Sequence, residues 1–340
     1  MKAIFLNEFF IPGIEMTKRV YDEAARAALA AEAGLGETTF TKADVLARPE
    51  EFKDTKYIFT TWGMPQFTVE EIKTYLPSLE AVFYGAGTVK MFAEPFMDAG
   101  VKIFSAWGAN AIPVAEYTVA QIVLANKGFF LSCRRSRSAE QFKALRGYSM
   151  SMAGNYGARV GVIGAGMIGK LVIQGLKAYE LKVLVYDPFL SEEKAAELGV
   201  ERASLEEIFS TCQTITNHVA NLPETVGMLN YGLFSKMLPT ATFLNTGRGA
   251  QVVEADLIRA LKEQPNRAAV LDVTFPEPPE ADSELYTLEN VFLTPHIAGS
   301  LMLGDEVARM GLYMLGEFRS YAKGEPCRYE VRREMLSTMA

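Results

Sequence analysis

The stretch Arg159-Val-Gly-Val-Ile-Gly-Ala-Gly-Met-Ile-Gly-Lys170 runs a short apolar strand into glycines at positions 164, 166 and 169. Each glycine answers a different steric demand. Gly164 allows a tight exit from the strand, Gly166 lets the main chain approach a pyrophosphate, and Gly169 lets the next helix pack closely on the sheet. The helix expected from Met167 to Tyr179 would face that anion with the unpaired N–H groups of its first turn, Met167 and Ile168 among them, and with a partial positive charge. A second strand, Lys182-Val-Leu-Val-Tyr-Asp187, ends on a carboxylate. It lies roughly 20 residues beyond the glycines, where a carboxylate accepts hydrogen bonds from adenosine ribose hydroxyls. The pattern predicts a dinucleotide-binding βαβ unit, with Asp187 favouring NAD over NADP.

Strand and helix signals alternate on both sides of this turn. Upstream, strands are expected at Lys2 to Leu6, Lys56 to Thr61, Leu79 to Tyr84 and Val101 to Phe104, with helices at Met16 to Ala31, Thr68 to Leu76 and Phe92 to Ala99. Pro113 to Phe130 reads as a long apolar helix with Pro at its start. Downstream, Thr214 to Val219, Ala241 to Asn245, Ala268 to Val273 and Val291 to Leu293 read as strands, and Ser204-Leu-Glu-Glu207 has capping-box spacing. A final helix, Leu303 to Lys323, would return to the first domain. Such alternation predicts an α/β protein of two doubly wound parallel-sheet domains.

Size and charge agree with that plan. At 340 residues the chain exceeds what one core usually supports. A net charge of −7 argues against nonspecific nucleic-acid binding, and the one basic cluster, Arg134-Arg135-Ser-Arg137, reads as a solvated connection between helices. Cysteines at 133, 212 and 327 form no CxxC, so neither a disulfide framework nor a metal site is suggested. The first residues read as a strand rather than a signal peptide, and no stretch approaches a membrane span. A cytoplasmic protein is expected.

Chemistry concentrates on three loops at expected strand ends. His296, one of two histidines, lies in Leu293-Thr-Pro-His-Ile-Ala-Gly-Ser300; Arg248 lies in Asn245-Thr-Gly-Arg-Gly249, and Glu277 in Asp272-Val-Thr-Phe-Pro-Glu-Pro278. Ligands bind at that edge of a parallel sheet. Arg248 could hold a carboxylate and polarise an adjacent ketone, protonated His296 could deliver a proton to the ketone oxygen, and Glu277 would favour the imidazolium. The other histidine, His218, reads as structural.

These segments resemble the D-isomer-specific 2-hydroxyacid dehydrogenase family over almost the whole chain. The glycine turn, an Arg in N-x-x-R-G, a Glu five residues after Asp-Val and the His of T-P-H-I recur there in this order. The resemblance implies that Arg248, Glu277 and His296 are catalytic, and that Thr246, Gly247 and Asp272 join the glycine turn and Asp187 around NAD. It further implies a flavodoxin-like substrate domain (1–104 and 298–340), a Rossmann NAD domain (105–297), an active-site cleft between them, and a homodimer. The loop Tyr84-Gly-Ala-Gly-Thr88 would offer the N–H groups of Ala86 and Gly87 to the substrate, with Arg248 and His296 completing its binding. The expected reaction is NAD-dependent interconversion of a 2-keto acid and its D-2-hydroxy acid.

The chain departs from the family at Thr88-Val-Lys-Met, where an Asp is usual, and at Ala220, which replaces the Pro of a His-x-Pro. Trp62, Met64, Tyr84 and Met91 suggest a substrate pocket with apolar walls and an unphosphorylated substrate. Within the family, formate dehydrogenases pair the His with Gln, which Glu277 argues against. An NAD(H)-sensing corepressor of the same fold is the alternative from another functional class.

Overall fold

The computed structural model describes residues 2–8, 11–300 and 304–337. The chain divides into two compact units, Met1–Asn110 with Ser300–Met339, and Ala111–Gly299. In the first, strands β1 (Ala3–Leu6), β2 (Leu35–Phe40), β3 (Tyr57–Thr60), β4 (Ala81–Tyr84) and β5 (Lys102–Ser105) form a parallel sheet in the order β2-β1-β3-β4-β5. This is the flavodoxin-like order.

Side chains alternate across this sheet with the period of two that a strand imposes. Ile4, Leu6, Val82 and Tyr84 join one core with Val45, Ile72 and Phe96 from helices on that face. Ala3, Phe5, Ala81 and Phe83 join the other with Leu29, Met314 and Phe318. Burial on both faces explains why these strands read as continuous apolar runs. Phe83 stacks between Phe59 and Phe104, at centroid distances of 5.1 and 4.9 Å. Each such buried ring contributes about 1.5–3 kcal/mol.

The second unit holds β6 (Tyr156–Ile163), β7 (Glu180–Tyr186), β8 (Glu201–Arg202), β9 (Thr214–Asn217), β10 (Thr242–Asn245), β11 (Ala268–Leu271) and β12 (Val291–Leu293). They form a parallel sheet in the order β12-β11-β10-β9-β6-β7-β8. Strand order reverses between β6 and β9, as in a Rossmann fold, so a crevice is expected at their C-terminal ends. Gly164 leaves β6 there, and Asn217-His218 leaves β9.

Several local expectations needed correction. The helix expected over Met16 to Ala31 is two helices, Met16–Val20 and Glu23–Ala33, because the Asp22 side chain accepts from Ala25 N and starts a new one. Pro113 does not open its helix: it lies inside Trp107–Ala125. Only the Ser204 half of the capping box is made, with Ser204 accepting from Glu207 N at 3.1 Å. The last helix spans Ala308–Ala322, after a 3-10 turn at Asp305–Val307, and its expected start, Leu303, lies outside the described residues.

Candidate active site

The glycine turn is built as its sterics demand. Gly164 has φ +93°, and a Cβ there would lie 2.8 Å from the His218 carbonyl carbon and from Val219 N. A Cβ on Gly169 would lie 2.0 Å from the Gly164 oxygen, whereas one on Gly166 would meet nothing within 4 Å. Two of the glycines therefore close the fold, and the middle one leaves an open approach to the main chain. Gly166 is the N-cap of the helix Met167–Leu176, and no side chain caps that end. Its first-turn N–H groups, including those of Met167, Ile168 and Gly169, are thus oriented for an anion.

Asp187 sits beside this turn, just beyond β7. Its Oδ2 accepts from Ala165 N at 2.7 Å and its Oδ1 from Phe189 N at 2.8 Å. A carboxylate has about four acceptor positions, so lone pairs remain for ribose hydroxyls. The open Gly166, the uncapped helix and this held carboxylate fit a dinucleotide.

Arg248, Glu277 and His296 all follow the C-terminal ends of neighbouring strands, β10, β11 and β12. His296 Nδ1 lies 2.7 Å from Glu277 Oε1. His296 is the one non-glycine residue with positive φ among the described residues, at 55°. Its N–H donates to the Asp272 carbonyl at 3.0 Å. Asp272 is 2% exposed, and its carboxylate accepts from Thr294 Oγ1 at 2.6 Å, Ile297 N at 2.8 Å and Ala298 N at 2.9 Å. Asp272 therefore spends its carboxylate on the His296 segment.

Arg248 is half-buried, and its Nη1 donates to the Gly247 carbonyl at 2.7 Å. Burial lowers its pKa from the ordinary value, and the Glu277 charge opposes that shift. Asn245 shapes the loop: its Nδ2 donates to the Arg248 carbonyl at 3.0 Å, and its Oδ1 accepts from Gly247 N at 3.1 Å. Gln251, fully buried, donates to the Val219 and Ala220 carbonyls at 2.8 and 2.9 Å. Its amide ties the loop that packs on Gly164 to the loop that carries Arg248. Gln251 stands in the sequence as a polar residue between Ala250 and Val252, a signal that the spacing argument passed over.

His218 is buried, with Nε2 3.0 Å from Thr216 Oγ1. Burial pulls its pKa down to about 3, so the ring is neutral. Thr246 is buried, and its Oγ1 lies 3.0 Å from Thr118 Oγ1. In the first unit the Ala86 N–H turns onto the Tyr84 carbonyl at 2.9 Å. Of the two amides expected to meet a substrate, Gly87 is the one that makes no protein hydrogen bond among the described residues.

Two further expectations change. Tyr84 is buried in the core of the first unit, and Trp62 and Met64 pack against it, which leaves Met91 as the exposed member of the set read as pocket walls. Arg134 is no free cation: its Nη1 donates to the carbonyls of Glu289 and Val291 at 2.9 and 2.7 Å.

The sequence pattern of the D-isomer specific 2-hydroxyacid dehydrogenase, NAD binding domain, matches residues 123–298. A D-3-phosphoglycerate dehydrogenase of Archaeoglobus fulgidus is 34% identical over 247 residues, which cover 73% of this chain and 46% of that protein. The chain thus spans about half the length of the phosphoglycerate dehydrogenases it matches. A formate dehydrogenase of Chaetomium thermophilum is 32% identical over 301 residues, covering 84% of this chain and 78% of that one. The apo form of D-mandelate dehydrogenase from Rhodotorula graminis shares the fold, with a TM-score of 0.78 at 21% identity over 97% of each chain. The chain belongs to the D-isomer specific 2-hydroxyacid dehydrogenase family, and residues 123–298 carry its NAD-binding domain.

Proposed function

We propose that the chain interconverts a 2-keto acid and its D-2-hydroxy acid. The observation that carries this reading is the 2.7 Å contact of His296 Nδ1 with Glu277 Oε1, set beside the half-buried Arg248 at three adjacent strand ends. NADH, when bound, supplies the hydride. Gly164, Gly166, Met167, Ile168 and Gly169 would hold its pyrophosphate and Asp187 its adenosine ribose, with Thr246 and Gly247 lining the far side of the sheet reversal.

The roles of the side chains follow from what each atom still has to offer. With Nδ1 turned to Glu277, Nε2 of His296 is the nitrogen that holds the proton for the ketone oxygen and takes it back in the reverse direction. Arg248 keeps guanidinium N–H groups beyond the one bound to Gly247, and their fork suits a carboxylate beside a ketone. Glu277 fixes the ring plane through its contact with Nδ1. To the first unit we assign the substrate-domain role that the resemblance implies, with the Gly87 N–H as a carboxylate donor.

A homodimer is part of the same proposal. The helix Ala139–Met150 has no buried residue, and Phe142 and Met150 are 63% and 87% exposed, which suits a surface covered by a second copy. Three free cysteines suit a reducing compartment such as the cytoplasm. No helix among the described residues is long and apolar enough to cross a membrane.

The test is a screen of NADH oxidation with glyoxylate, pyruvate, phenylpyruvate and 3-phosphohydroxypyruvate, together with NAD reduction by formate. Turnover of a 2-keto acid to the D-product supports the reading. Tight NADH binding with no turnover of any compound would instead leave a sensor.

A further inference from the structure

Tyr117 stands on the helix Trp107–Ala125, with its hydroxyl 3.1 Å from Oγ1 of Thr294, two residues before His296. Thr294 has a single hydroxyl proton and gives it to Asp272 Oδ1 at 2.6 Å, since a carboxylate accepts. The Thr294 oxygen must therefore accept from Tyr117. That orders the chain as Tyr117 to Thr294 to Asp272. Gln121, one turn further along the helix, also hydrogen-bonds the Tyr117 hydroxyl, and because that bond lowers the phenol pKa it meets the oxygen as a donor and leaves the phenol proton to Thr294.

The far end of the chain is the segment that carries the histidine. Asp272 accepts the N–H groups of Ile297 and Ala298 through its carboxylate and that of His296 through its carbonyl. His296 has φ 55°, a conformation that a residue with a Cβ keeps only where the surroundings over-determine it. The contacts of Asp272 supply that over-determination, and among the described residues Thr294 is the one side chain that ties its carboxylate to a neighbouring helix.

We propose that Tyr117 is a positioning residue: acting through Thr294 and Asp272, it holds the His296 segment in the left-handed conformation that turns Nδ1 toward Glu277. The inference rests on the acid–base role proposed above for His296. Burial raises the Tyr117 phenol pKa, the hydrogen bond to Thr294 opposes this, the Asp272 charge adds to it, and the hydrogen bond to Gln121 opposes it again. The hydroxyl thus stays a donor throughout the neutral range.

The experiment compares the full chain with Tyr117→Phe, Thr294→Val, Thr294→Ser and the double variant Tyr117→Phe/Thr294→Val. Tyr117→Phe is expected to lower kcat roughly three- to tenfold, the span of one lost hydrogen bond, with the NADH Kd unchanged. Thr294→Val should lose at least as much, Thr294→Ser should recover most of it, and the double variant should be no worse than Thr294→Val alone, because both changes break one chain. A second readout needs no turnover. The chain has two histidines, so the ring C–H resonance of His296 can be followed by NMR beside that of His218. Tyr117→Phe should move the His296 resonance and leave His218 in place. Additive losses in the double variant overturn the proposal, as does an unmoved His296 resonance, whatever happens to kcat. If the unmodified protein reduces no 2-keto acid, the enzymatic reading falls by itself, and the resonance comparison still decides whether Tyr117 holds the segment.

Discussion

Gly249 packs main chain on main chain against Thr274: a Cβ at 249 would lie 1.9 Å from the Thr274 carbonyl carbon and 2.0 Å from its oxygen. The loop that carries Arg248 and the loop that leads to Glu277 are therefore locked together by the absence of a side chain. Gly249→Ala has no flexible neighbour to displace and must push the two loops apart. We expect a loss of about 1–3 kcal/mol or more, the range of overpacked sites, read as a fall in the urea midpoint. A midpoint equal to that of the unmodified protein would show that the loops separate freely.

His296 and Arg248 should fail in different ways. His296→Gln removes the proton carrier and leaves the dinucleotide turn untouched, so kcat should fall by about 10²- to 10⁴-fold while the NADH Kd holds. Arg248→Lys keeps a charge but loses the planar fork, so KM for the keto acid should rise and kcat should fall together. Steady-state kinetics with NADH fluorescence titration separates the two patterns. A His296→Gln enzyme with near-normal kcat would remove the acid–base assignment.

Glu277→Gln keeps the shape of the partner to His296 Nδ1, at 2.7 Å in the unmodified protein, and removes its charge. A neutral amide holds the ring less firmly than a charge-assisted bond does, so kcat for ketone reduction should fall about 5- to 10-fold with the NADH Kd unchanged. An unchanged kcat would refute a working His–Glu pair.

Cofactor choice should follow Asp187. Its carboxylate is held beside the glycine turn by Ala165 N and Phe189 N, and a 2′-phosphate brought there would meet like charge. NADH is expected to exceed NADPH in kcat/KM. Asp187→Ala should narrow that preference, and it should weaken NADH as well, because the ribose loses an acceptor. Equal kcat/KM for both cofactors in the unmodified protein would sink the assignment.

Local signals in the sequence carried the parallel sheets, because strands buried on both faces, such as Ala81–Tyr84 and Ala268–Leu271, are short apolar runs. The strands that escaped reading lie at sheet edges: Leu35–Phe40, beside β1 alone, buries only Leu35, and Glu201–Arg202, beside β7 alone, buries neither residue. The Gly, Glu and two Thr of the first and the Glu-Arg of the second carry no core signal. Pro113 misled for the opposite reason: a helix-start residue sits in mid-helix, and neighbouring packing overrides its local preference. Arg248, Glu277 and His296 were legible because each lies in a distinctive segment just after a strand. The groups that support them were not. The contacts of Gly249 with Thr274 and of Tyr117 with Thr294 join residues far apart in sequence, and spacing within one motif cannot reveal a partner on another loop.

His218 gives the fold a built-in sensitivity to acid. Burial draws its pKa down to about 3, while in the unfolded chain an imidazole titrates near its ordinary value of about 6.5. Above that value both states are neutral, and His218 adds no pH dependence. As the pH falls below it, the unfolded chain takes up a proton that the native state refuses, so stability is lost at about 1.4 kcal/mol per pH unit. The loss continues until the native ring itself protonates. His218→Gln retains a polar group facing Thr216 and has no proton to gain. It should therefore lose less stability than the unmodified protein between pH 7 and pH 5, by about 2 kcal/mol, whatever its absolute stability at pH 7. Urea unfolding of both proteins at the two pH values measures the difference directly, and parallel losses would mean that the buried ring is protonated in the native state or that water reaches it.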